Sequence, residues 1–451
     1  MVIATACLTI AKSVVTQIDQ HPSSLVSCLI NAKPAQGLCI LDSCGDHLDS
    51  QWLLAGISPS KTYEISNTDP NETLRIFDEI LSGDKIAIFS ISYDLGRKLE
   101  NIGDNTTSKS ISEPDLFIST FDSLVVHDYL TGRTSLIGNR KRVKKNLEIL
   151  RRNGSRDSPI TPTSQPASVT ANFSRAKYLE TIETIKEYIR RGDTYQTNLT
   201  QQITASLPTD FPTAGAFQRI RKNYPAPFTA YLERPGSMVV SASPERFFRV
   251  INGKIQSSPI KGTRPRGLNK IEDRIFREQL LASEKDRAEN TMIVDLMRND
   301  LGRICEYGSI EVSHLCRLQE LSTLFHLVSD VEGTLRREIK PSDIIRALFP
   351  CGSITGAPKI RTMQIIDELE PSKRGLSMGA IGLYIPEGFG LPPMLDLSVA
   401  IRTMVIREGK ATFNVGGGIV IDSNPEAEYE ESLLKAQCLL GALGCAETIS
   451  F

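Results

Sequence analysis

The sequence of 451 residues has little of what transition-metal, disulfide-bonded and membrane proteins need. It contains five histidines, and its nine cysteines form no C-x-x-C pair and cannot all close into disulfides. No uninterrupted apolar run reaches the roughly 18 residues of a membrane helix, and the first residues lack the basic region of a secretory signal. We therefore expect a cytoplasmic protein without a zinc-like site.

The charge balance excludes a second group of functions. There are 52 basic and 53 acidic residues, which gives a formal net charge of -1. No overall field therefore favours nucleic acid or an anionic membrane, and an anionic ligand must be held by a local site. With 40% hydrophobic residues, the chain can bury a large core.

The chain divides into three parts. Up to about residue 135, short apolar runs alternate with polar turns, and a basic stretch at 140–152 predicts a solvated helix. A segment rich in Ser, Thr and Pro follows, and then a helix with Ser174 as its N-cap and Gly192 as its stop. We predict an N-terminal region at 1–152, a linker at 153–172 and a catalytic region at 173–451.

Two strand-like segments, SASPERFFRV and SSPIKGTRPRG, each contain one candidate catalytic residue. A hairpin would bring Glu245 of the first close to Lys261 of the second. A carboxylic acid beside an amine is a plausible pair of general acid and nucleophile if their surroundings bring both pKa values toward neutrality. A surface ion pair across a hairpin is the structural alternative.

Two predicted helices carry carboxylates that could share a hard cation. The segment EKDRAENTMIVDLMRNDLGRI places Glu289 on a partly apolar face, and DSNPEAEYEESLLKAQCLL starts a helix at Pro425 with Glu428, Glu431 and Lys435 along one side. Mg²⁺ uses one or two protein carboxylates together with waters and substrate oxygens. Exposed ion pairing between neighbouring turns is the alternative.

Two glycine-rich segments predict turns in which backbone N–H groups could approach an anion. FPCGSITGAPK leads to Pro358 and then to a helix, and NVGGGIVID follows a strand-like stretch. Neither has the spacing of a nucleotide-binding motif.

Taken together, these segments are highly specific. YQTNLTQ, SASPERF, PIKGT, the MIVDLMRNDLGR helix, FPCGSITGAPK, IIDELEP and the GGGIV segment with its EYEES helix resemble the chorismate-utilising enzyme family, and YDLGRKLE at 93–100 is similar to the N-terminal part of its component I proteins. The resemblance implies an α+β fold in which antiparallel β-sheets pack as a sandwich with helices outside.

The resemblance also implies roles for individual residues. Glu245 would be the general acid that assists departure of the C4 hydroxyl of chorismate, and Glu289 and Glu431 would bind Mg²⁺. The substrate carboxylates would be held by Arg402, Lys435 and the backbone of Gly416, Gly417 and Gly418. The remaining site positions would be Gly262, Thr263, His326 and Thr355.

Two residues indicate the reaction. Isochorismate-forming relatives have a lysine where this chain has Gln196, and anthranilate-forming relatives have an alanine where it has Lys261. The resemblance therefore implies amination of chorismate to 4-amino-4-deoxychorismate, the first step of p-aminobenzoate and folate synthesis. No cysteine lies in a G-x-C-x-G elbow, so ammonia is expected from a glutamine amidotransferase partner.

Two other functions remain open. One is anthranilate formation, and the other is a non-catalytic regulatory subunit that binds chorismate or tryptophan. Some relatives hold tryptophan near an LLES-like sequence, to which LDS at 41–43 is a loose match. One departure from the family is Leu383 where a tyrosine is common, with Tyr384 following it.

Overall fold

The computed structural model describes residues 7–10, 13–32, 37–45, 51–103, 113–152, 166–320 and 324–445. The described strands are β1 (Cys7–Ile10), β2 (Ser13–Ile18), β3 (Cys39–Asp42), β4 (Trp52–Gly56), β5 (Lys61–Ile65), β6 (Ile86–Ile91), β7 (Leu116–Phe121), β8 (Ser123–Asp128), β9 (Arg133–Gly138), β10 (Ser168–Ala171), β11 (Gln196–Ser206), β12 (Phe228–Arg234), β13 (Ser237–Ser243), β14 (Arg246–Ile251), β15 (Lys254–Ser257), β16 (Ile260–Pro265), β17 (Glu311–Glu320), β18 (Leu324–Thr334), β19 (Gly356–Ala357), β20 (Ala380–Ile385), β21 (Met394–Val399), β22 (Thr403–Arg407) and β23 (Lys410–Ile419).

The described α-helices are α1 (Pro22–Asn31), α2 (Pro70–Leu81), α3 (Tyr93–Leu99), α4 (Arg140–Arg152), α5 (Arg175–Arg190), α6 (Thr213–Asn223), α7 (Lys270–Ala282), α8 (Glu284–Gly302), α9 (Pro341–Leu348), α10 (Lys359–Leu369) and α11 (Pro425–Ala442). A short 3₁₀ turn covers Gly352–Ile354. None of these helices is long and apolar enough to cross a membrane.

The strands form two antiparallel sheets. The first follows the order β1-β2-β9-β8-β4-β3-β12-β13-β22-β23-β11-β10, with β19 beside β11. The second follows the order β16-β18-β15-β14-β21-β20-β6-β7-β5, with β17 beside β18. Buried side chains from both sheets, such as Leu54 and Leu232 from the first and Ile88 and Leu383 from the second, meet in one apolar cluster. This packing of β-sheets confirms the predicted α+β class.

Helices cover the outer faces of the sheets. Leu25 of α1, Phe217 of α6 and Leu439 of α11 belong to the apolar cluster on the first sheet, and Met297 of α8 and Ile345 of α9 belong to the cluster on the second. Burial of these amphipathic faces stabilises the helices where they lie.

Local sequence signals determine where several helices begin. Ser174 accepts a hydrogen bond from the backbone N–H of Lys177 at the start of α5, and Asn424 accepts one from Ala427 at the start of α11. Both predicted starts are confirmed, and the basic stretch at 140–152 is the predicted helix α4, with Val143 and Leu150 buried.

The N-terminal and catalytic regions share both sheets. Strand β3 pairs with β12 in the first sheet, and β6 pairs with β20 in the second. Of the predicted linker at 153–172, residues 153–165 lie outside the described residues, whereas Ser168–Ala171 form β10 against the end of β11.

One predicted turn is wrong. The glycines of NVGGGIVID lie inside β23, where Gly416, Gly417 and Gly418 pair with Thr200, Leu199 and Asn198 of β11. The pairing partner is far away in sequence, so long-range hydrogen bonding overrides the weak strand propensity of glycine.

Candidate active site

Glu245 and Lys261 are neighbours, but no direct hairpin joins them. Glu245 precedes β14, which pairs with β15, whereas Lys261 lies on β16, which pairs with β18. Strand β18 therefore lies between β15 and β16. The two charges interact in the folded protein, and the backbone N–H of Ile260 also favours the ionised form of the Glu245 carboxyl.

Burial moves the pKa values of both groups toward neutrality. Glu245 is 4% exposed, and its loss of hydration raises the pKa of its carboxyl to about 7 against the opposing effects of Ser353, Lys261 and Ile260. Burial lowers the pKa of Lys261, and the positive charge of Lys435 acts in the same direction. One carboxyl oxygen of Glu245, Oε1, is buried and makes no hydrogen bond with the described residues. Burial therefore moves the pKa values of the acid and the amine toward each other.

The loop before α10 contacts both members of this pair through Ser353. The carbonyl oxygen of Ser353 accepts a hydrogen bond of 3.3 Å from Lys261 Nζ, and its side chain lowers the pKa of Glu245. Thr355, the predicted site residue of this loop, is fully buried, and its hydroxyl donates to the carbonyl oxygen of Cys351 at 3.0 Å. The Thr355 side chain therefore supports the loop, while Ser353, which the sequence did not single out, contacts the reactive pair.

The predicted carboxylates on α8 and α11 lie around two lysines. Lys435 Nζ is 2.7 Å from Glu431, and Lys285 Nζ is 4.0 Å from Glu289 and 3.8 Å from Glu428. Burial raises the pKa of Glu289, and the negative charge of Glu428 contributes to that increase. Loss of hydration also acts to raise the pKa of Glu431, but Lys435, Lys285 and Lys261 together outweigh it, so the net direction is downward.

These carboxylates fit a magnesium ion better than a metal that needs a complete protein cage. Within the described ranges, no three His, Cys, Asp or Glu side chains form a ready-made metal cluster. Mg²⁺ needs only one or two hard carboxylate ligands, because waters and substrate oxygens complete its octahedron. Glu289 and Glu431 could supply such ligands from two helices, and Glu428, which the sequence placed on the same helix side without a role, shares Lys285 with Glu289.

The glycine strand, which is the part of β23 at residues 416–418, lies between Lys261 and the carboxylates of α11. A Cβ atom on Gly417 would lie 3.1 Å from Oε2 of Glu428 and 3.6 Å from Nζ of Lys435, and a Cβ on Gly418 would lie 3.5 Å from Nζ of Lys261. Lys435 Nζ donates to the carbonyl oxygen of Gly416 at 2.9 Å. The same Cβ on Gly418 would lie only 2.3 Å from Nε2 of Gln196, so the absence of side chains on this strand lets Gln196, Lys261 and the charged side chains of α11 come close to its backbone.

Arg402 is available to an anion. Its guanidinium makes no hydrogen bond or ion pair with the residues that the structure describes, and burial lowers its pKa. Cys438, one turn beyond Lys435 on α11, is a neighbour of this guanidinium, and burial raises the pKa of its thiol to about 11. A partly desolvated and unpaired guanidinium near a second cation is typical of a carboxylate-binding position.

The predicted residues beside Lys261 also come together. Thr263 and His326 are cross-strand partners of β16 and β18, and the Thr263 hydroxyl lies 2.9 Å from Nδ1 of His326. Gly262 has φ of +86°, and a Cβ there would lie 2.9 Å from the Cβ of Asp286. Glycine at this position therefore allows α8 to approach the strand that carries Lys261.

Gln196 adds a polar side chain to the same space. It lies at the start of β11 and is fully buried, and neither its amide nitrogen nor its amide oxygen has a hydrogen-bond partner among the described residues. An unpaired buried amide costs about 1–3 kcal/mol, so this side chain gains from a ligand that supplies the missing bonds.

Away from these residues, a cavity lies between the two sheets. Its lining includes Leu41, Asp42, Ser43 and Phe228, together with Leu383, the family departure noted in the sequence. Leu383 thus belongs to this cavity. The carboxylate of Asp42 is already engaged, because it lies 2.5 Å from Nε of Arg221 and accepts a hydrogen bond from Tyr129.

Comparisons with known proteins relate the chain to one family of enzymes. The family model described as chorismate binding enzyme matches residues 39–441. Aminodeoxychorismate synthase component 1 of Salmonella typhimurium is 39% identical over 357 residues, which cover 79% of this chain and 76% of that protein. Anthranilate synthase component 1 3 of Haloarcula marismortui is 36% identical over 430 residues, which cover 87% of this chain and 84% of that protein.

Solved structures share the fold. Anthranilate synthase component I from Streptococcus pneumoniae matches with a TM-score of 0.77 and 27% identity, covering 88% of this chain and 93% of that one. The menaquinone-specific isochorismate synthase of Escherichia coli has a TM-score of 0.73 at 16% identity, covering 98% of this chain and 96% of that one, and supports the fold alone.

Proposed function

The chain belongs to the chorismate binding enzyme family and uses chorismate, and on that premise we propose that it is a transferase that aminates chorismate to 4-amino-4-deoxychorismate. The observation that carries this proposal is the position of Lys261, whose amine lies in the site beside Glu245 with its pKa lowered by burial. Relatives named aminodeoxychorismate synthase component 1 support the same choice.

The chemistry assigns one task to each member of the pair. The neutral amine of Lys261 attacks C2 of the ring, the double bonds shift, and the C4 hydroxyl leaves as water with the proton of Glu245. Ammonia then forms a bond to C4 as the bond between C2 and the lysine nitrogen breaks, and the new ammonium group returns a proton to the Glu245 carboxylate. Chorismate and ammonia thus give 4-amino-4-deoxychorismate and water, and the lysine is regenerated.

Binding of the substrate is assigned to the surrounding cations and glycines. Arg402 and Lys435 would hold its carboxylates at the glycine strand, and His326 with Thr263 would border the ring. Glu289 and Glu431 would hold Mg²⁺, which, when bound, neutralises the ring carboxylate and withdraws electron density from the ring.

Ammonia is proposed to come from a glutamine amidotransferase subunit. Relatives that carry the name component 1 support a two-subunit enzyme, and no cysteine of the 451 residues lies in a glutaminase elbow. Under this proposal the isolated chain uses ammonium directly.

An end-point assay with chorismate, Mg²⁺ and ammonium, with and without added aminodeoxychorismate lyase, tests the proposal. Formation of p-aminobenzoate only with the lyase is the expected result. Anthranilate without the lyase would identify an anthranilate synthase, and unchanged chorismate from folded protein would identify a regulatory subunit. Glu245→Gln is the matched inactive control, since it keeps the shape of the side chain but has no acidic proton.

A further inference from the structure

Strand β11 begins at Gln196. Along one of its two edges, neighbouring strands pair only with the first and last residues of β11. Strand β23 pairs with β11 from Thr197 to Ser206. On the other edge, β19 pairs with Gln196 and Thr197, and β10 pairs with residues 203–206. The middle of this edge, around residues 198–202, therefore needs other hydrogen-bond partners.

Asn172 exchanges two hydrogen bonds with the backbone of Gln202, and the carbonyl oxygen of Thr355 accepts one from the N–H of Asn198 at 2.7 Å. Two buried side chains of opposite charge supply further partners at Asn198 and Thr200. Glu370 Oε1 accepts hydrogen bonds from the backbone N–H of Thr200 at 2.7 Å and from its hydroxyl at 2.9 Å. Arg374 Nη2 donates to the carbonyl oxygen of Asn198 at 2.6 Å. Both side chains are buried, and Arg374 donates to Glu370 at 2.7 and 2.9 Å. The ion pair thus acts on β11 as a short piece of neighbouring strand.

The same guanidinium also holds the loop that contacts the reactive pair. Arg374 Nη1 donates to the carbonyl oxygen of Ile354 at 3.0 Å, and Ile354 follows Ser353. One planar fork therefore joins the strand that carries Gln196 to the loop whose Ser353 meets Lys261. A lysine in its place has a single nitrogen and cannot span these acceptors and Glu370 in the same way.

Residues of the N-terminal region pack against the guanidinium of Arg374. The ring of Tyr93 lies 4.6 Å from the Arg374 guanidinium carbon, and the backbone N–H of Tyr93 donates to the carbonyl oxygen of Gly375 at 2.8 Å. Asp94 accepts from the N–H of Gly375 at 3.0 Å. The YDLGRKLE segment, which the proposed chemistry leaves without a role, thus packs against the ion pair.

We propose that Arg374 is a positioning residue of the chorismate site: held by Glu370 and Tyr93, it fixes β11 and the Ser353 loop relative to each other. Its effect on catalysis rests on the proposed function. In this role Arg374 does not itself contact the substrate.

The test compares Arg374→Lys with Arg234→Lys. Arg234 is also a buried arginine, paired with both carboxylate oxygens of Glu113, and it contacts no site residue in the described part of the chain. Measured where both variants are folded, Arg374→Lys should lower kcat at least tenfold with less than threefold change in the KM for ammonium, whereas Arg234→Lys should stay within twofold. An equal loss in both variants, or none in Arg374→Lys, would overturn the proposal.

A milder variant and a second readout protect the test against misfolding. Tyr93→Leu removes the ring beside the guanidinium and should lower kcat several-fold, whereas Tyr93→Phe should not, because the Tyr93 hydroxyl has no hydrogen-bond partner among the described residues. Hydrogen exchange should rise in peptides covering 196–202 and 352–357 in Arg374→Lys but not in Arg234→Lys. If wild type does not act on chorismate, the proposed function fails, but hydrogen exchange still tests the positioning role of Arg374. Unchanged exchange in Arg374→Lys would refute that role.

Discussion

Replacing Glu245 by glutamine should remove activity and at the same time abolish a loss of stability that the wild type undergoes as the pH rises. The folded protein raises the pKa of this carboxyl from its usual 4.5 to about 7, chiefly through burial. The folded state therefore binds the proton more tightly than the unfolded state. The associated stability is fully present below pH 4.5 and is lost as the pH rises through about 7.

The pKa values determine the magnitude. One pKa unit corresponds to about 1.4 kcal/mol, so the wild type should lose about 3 kcal/mol of this contribution by pH 8, and most of that loss occurs above pH 5. Glutamine cannot ionise and loses nothing. Whatever constant cost the amide has in the pocket cancels when the two pH values are compared.

The assay is urea unfolding of wild type and Glu245→Gln at pH 5 and pH 8, in metal-free buffer. The free energy of unfolding of the variant, relative to wild type, should increase by about 2–3 kcal/mol between the two pH values. Loss of a general acid should also lower kcat by about 100-fold or more.

Glu431→Gln supplies a control whose stability relative to wild type should stay nearly the same at pH 5 and pH 8, because its pKa is lowered from 4.5 and its titration lies below this range. Burial acts to raise the pKa of Glu431, but the neighbouring lysines together lower it overall. The Glu431 carboxylate therefore stabilises the fold at neutral pH, and this contribution disappears as the pH falls through its folded pKa. A stability difference for Glu245→Gln that is the same at pH 5 and pH 8 would show that the buried carboxyl is not held neutral. A variant with near wild-type kcat would remove Glu245 from the chemistry.

Further predictions follow from the other site residues. Lys261→Ala should lower aminodeoxychorismate formation at least about tenfold, or about 1.4 kcal/mol of barrier, and direct residual amination to C2, with Lys261→Arg no better; wild-type rate and product by chromatography would exclude a nucleophilic lysine. Glu289→Gln should increase the Mg²⁺ concentration needed for half-maximal rate, and an unchanged titration would exclude Glu289 as a ligand. Arg402→Gln should raise the KM for chorismate more than it lowers kcat. Glutamine should not replace ammonium for the isolated chain, and glutamate release would contradict this.

Local signals in the sequence predict some of this structure well. The caps at Ser174 and Asn424 are formed by side-chain oxygens and backbone N–H groups three residues away, so the sequence alone contains the information. The helix at 140–152 could likewise be predicted, because the apolar residues that form its buried face lie within this one segment. The α+β class, by contrast, is implied by the family resemblance, and the two sheets confirm it.

Contacts between distant segments could not be predicted in this way. The glycines at 416–418 become a strand because β11 pairs with them, and β18 separates β15 from β16 although Glu245 and Lys261 suggested a hairpin. Nothing in the GSIT segment distinguishes Ser353 from Thr355, because only the folded loop shows which of them meets the reactive pair. Likewise, only the folded structure shows that Glu428 belongs to the site, because there Lys285 from another helix lies 3.8 Å from its carboxylate.

The same burial prepares both halves of the reactive pair. Removing a carboxyl from water disfavours its charged form and raises its pKa, whereas removing an ammonium disfavours its charged form and lowers its pKa. For Glu245 and Lys261 this desolvation outweighs their mutual attraction, which would otherwise favour an ion pair. Burial thus favours the uncharged form of each group, the protonated acid and the free amine, whereas a solvated pair of the same residues would hold the proton on the lysine. The burial of the pair between β16, β18 and the Ser353 loop is therefore the property on which the assignment of these two residues to chemistry depends.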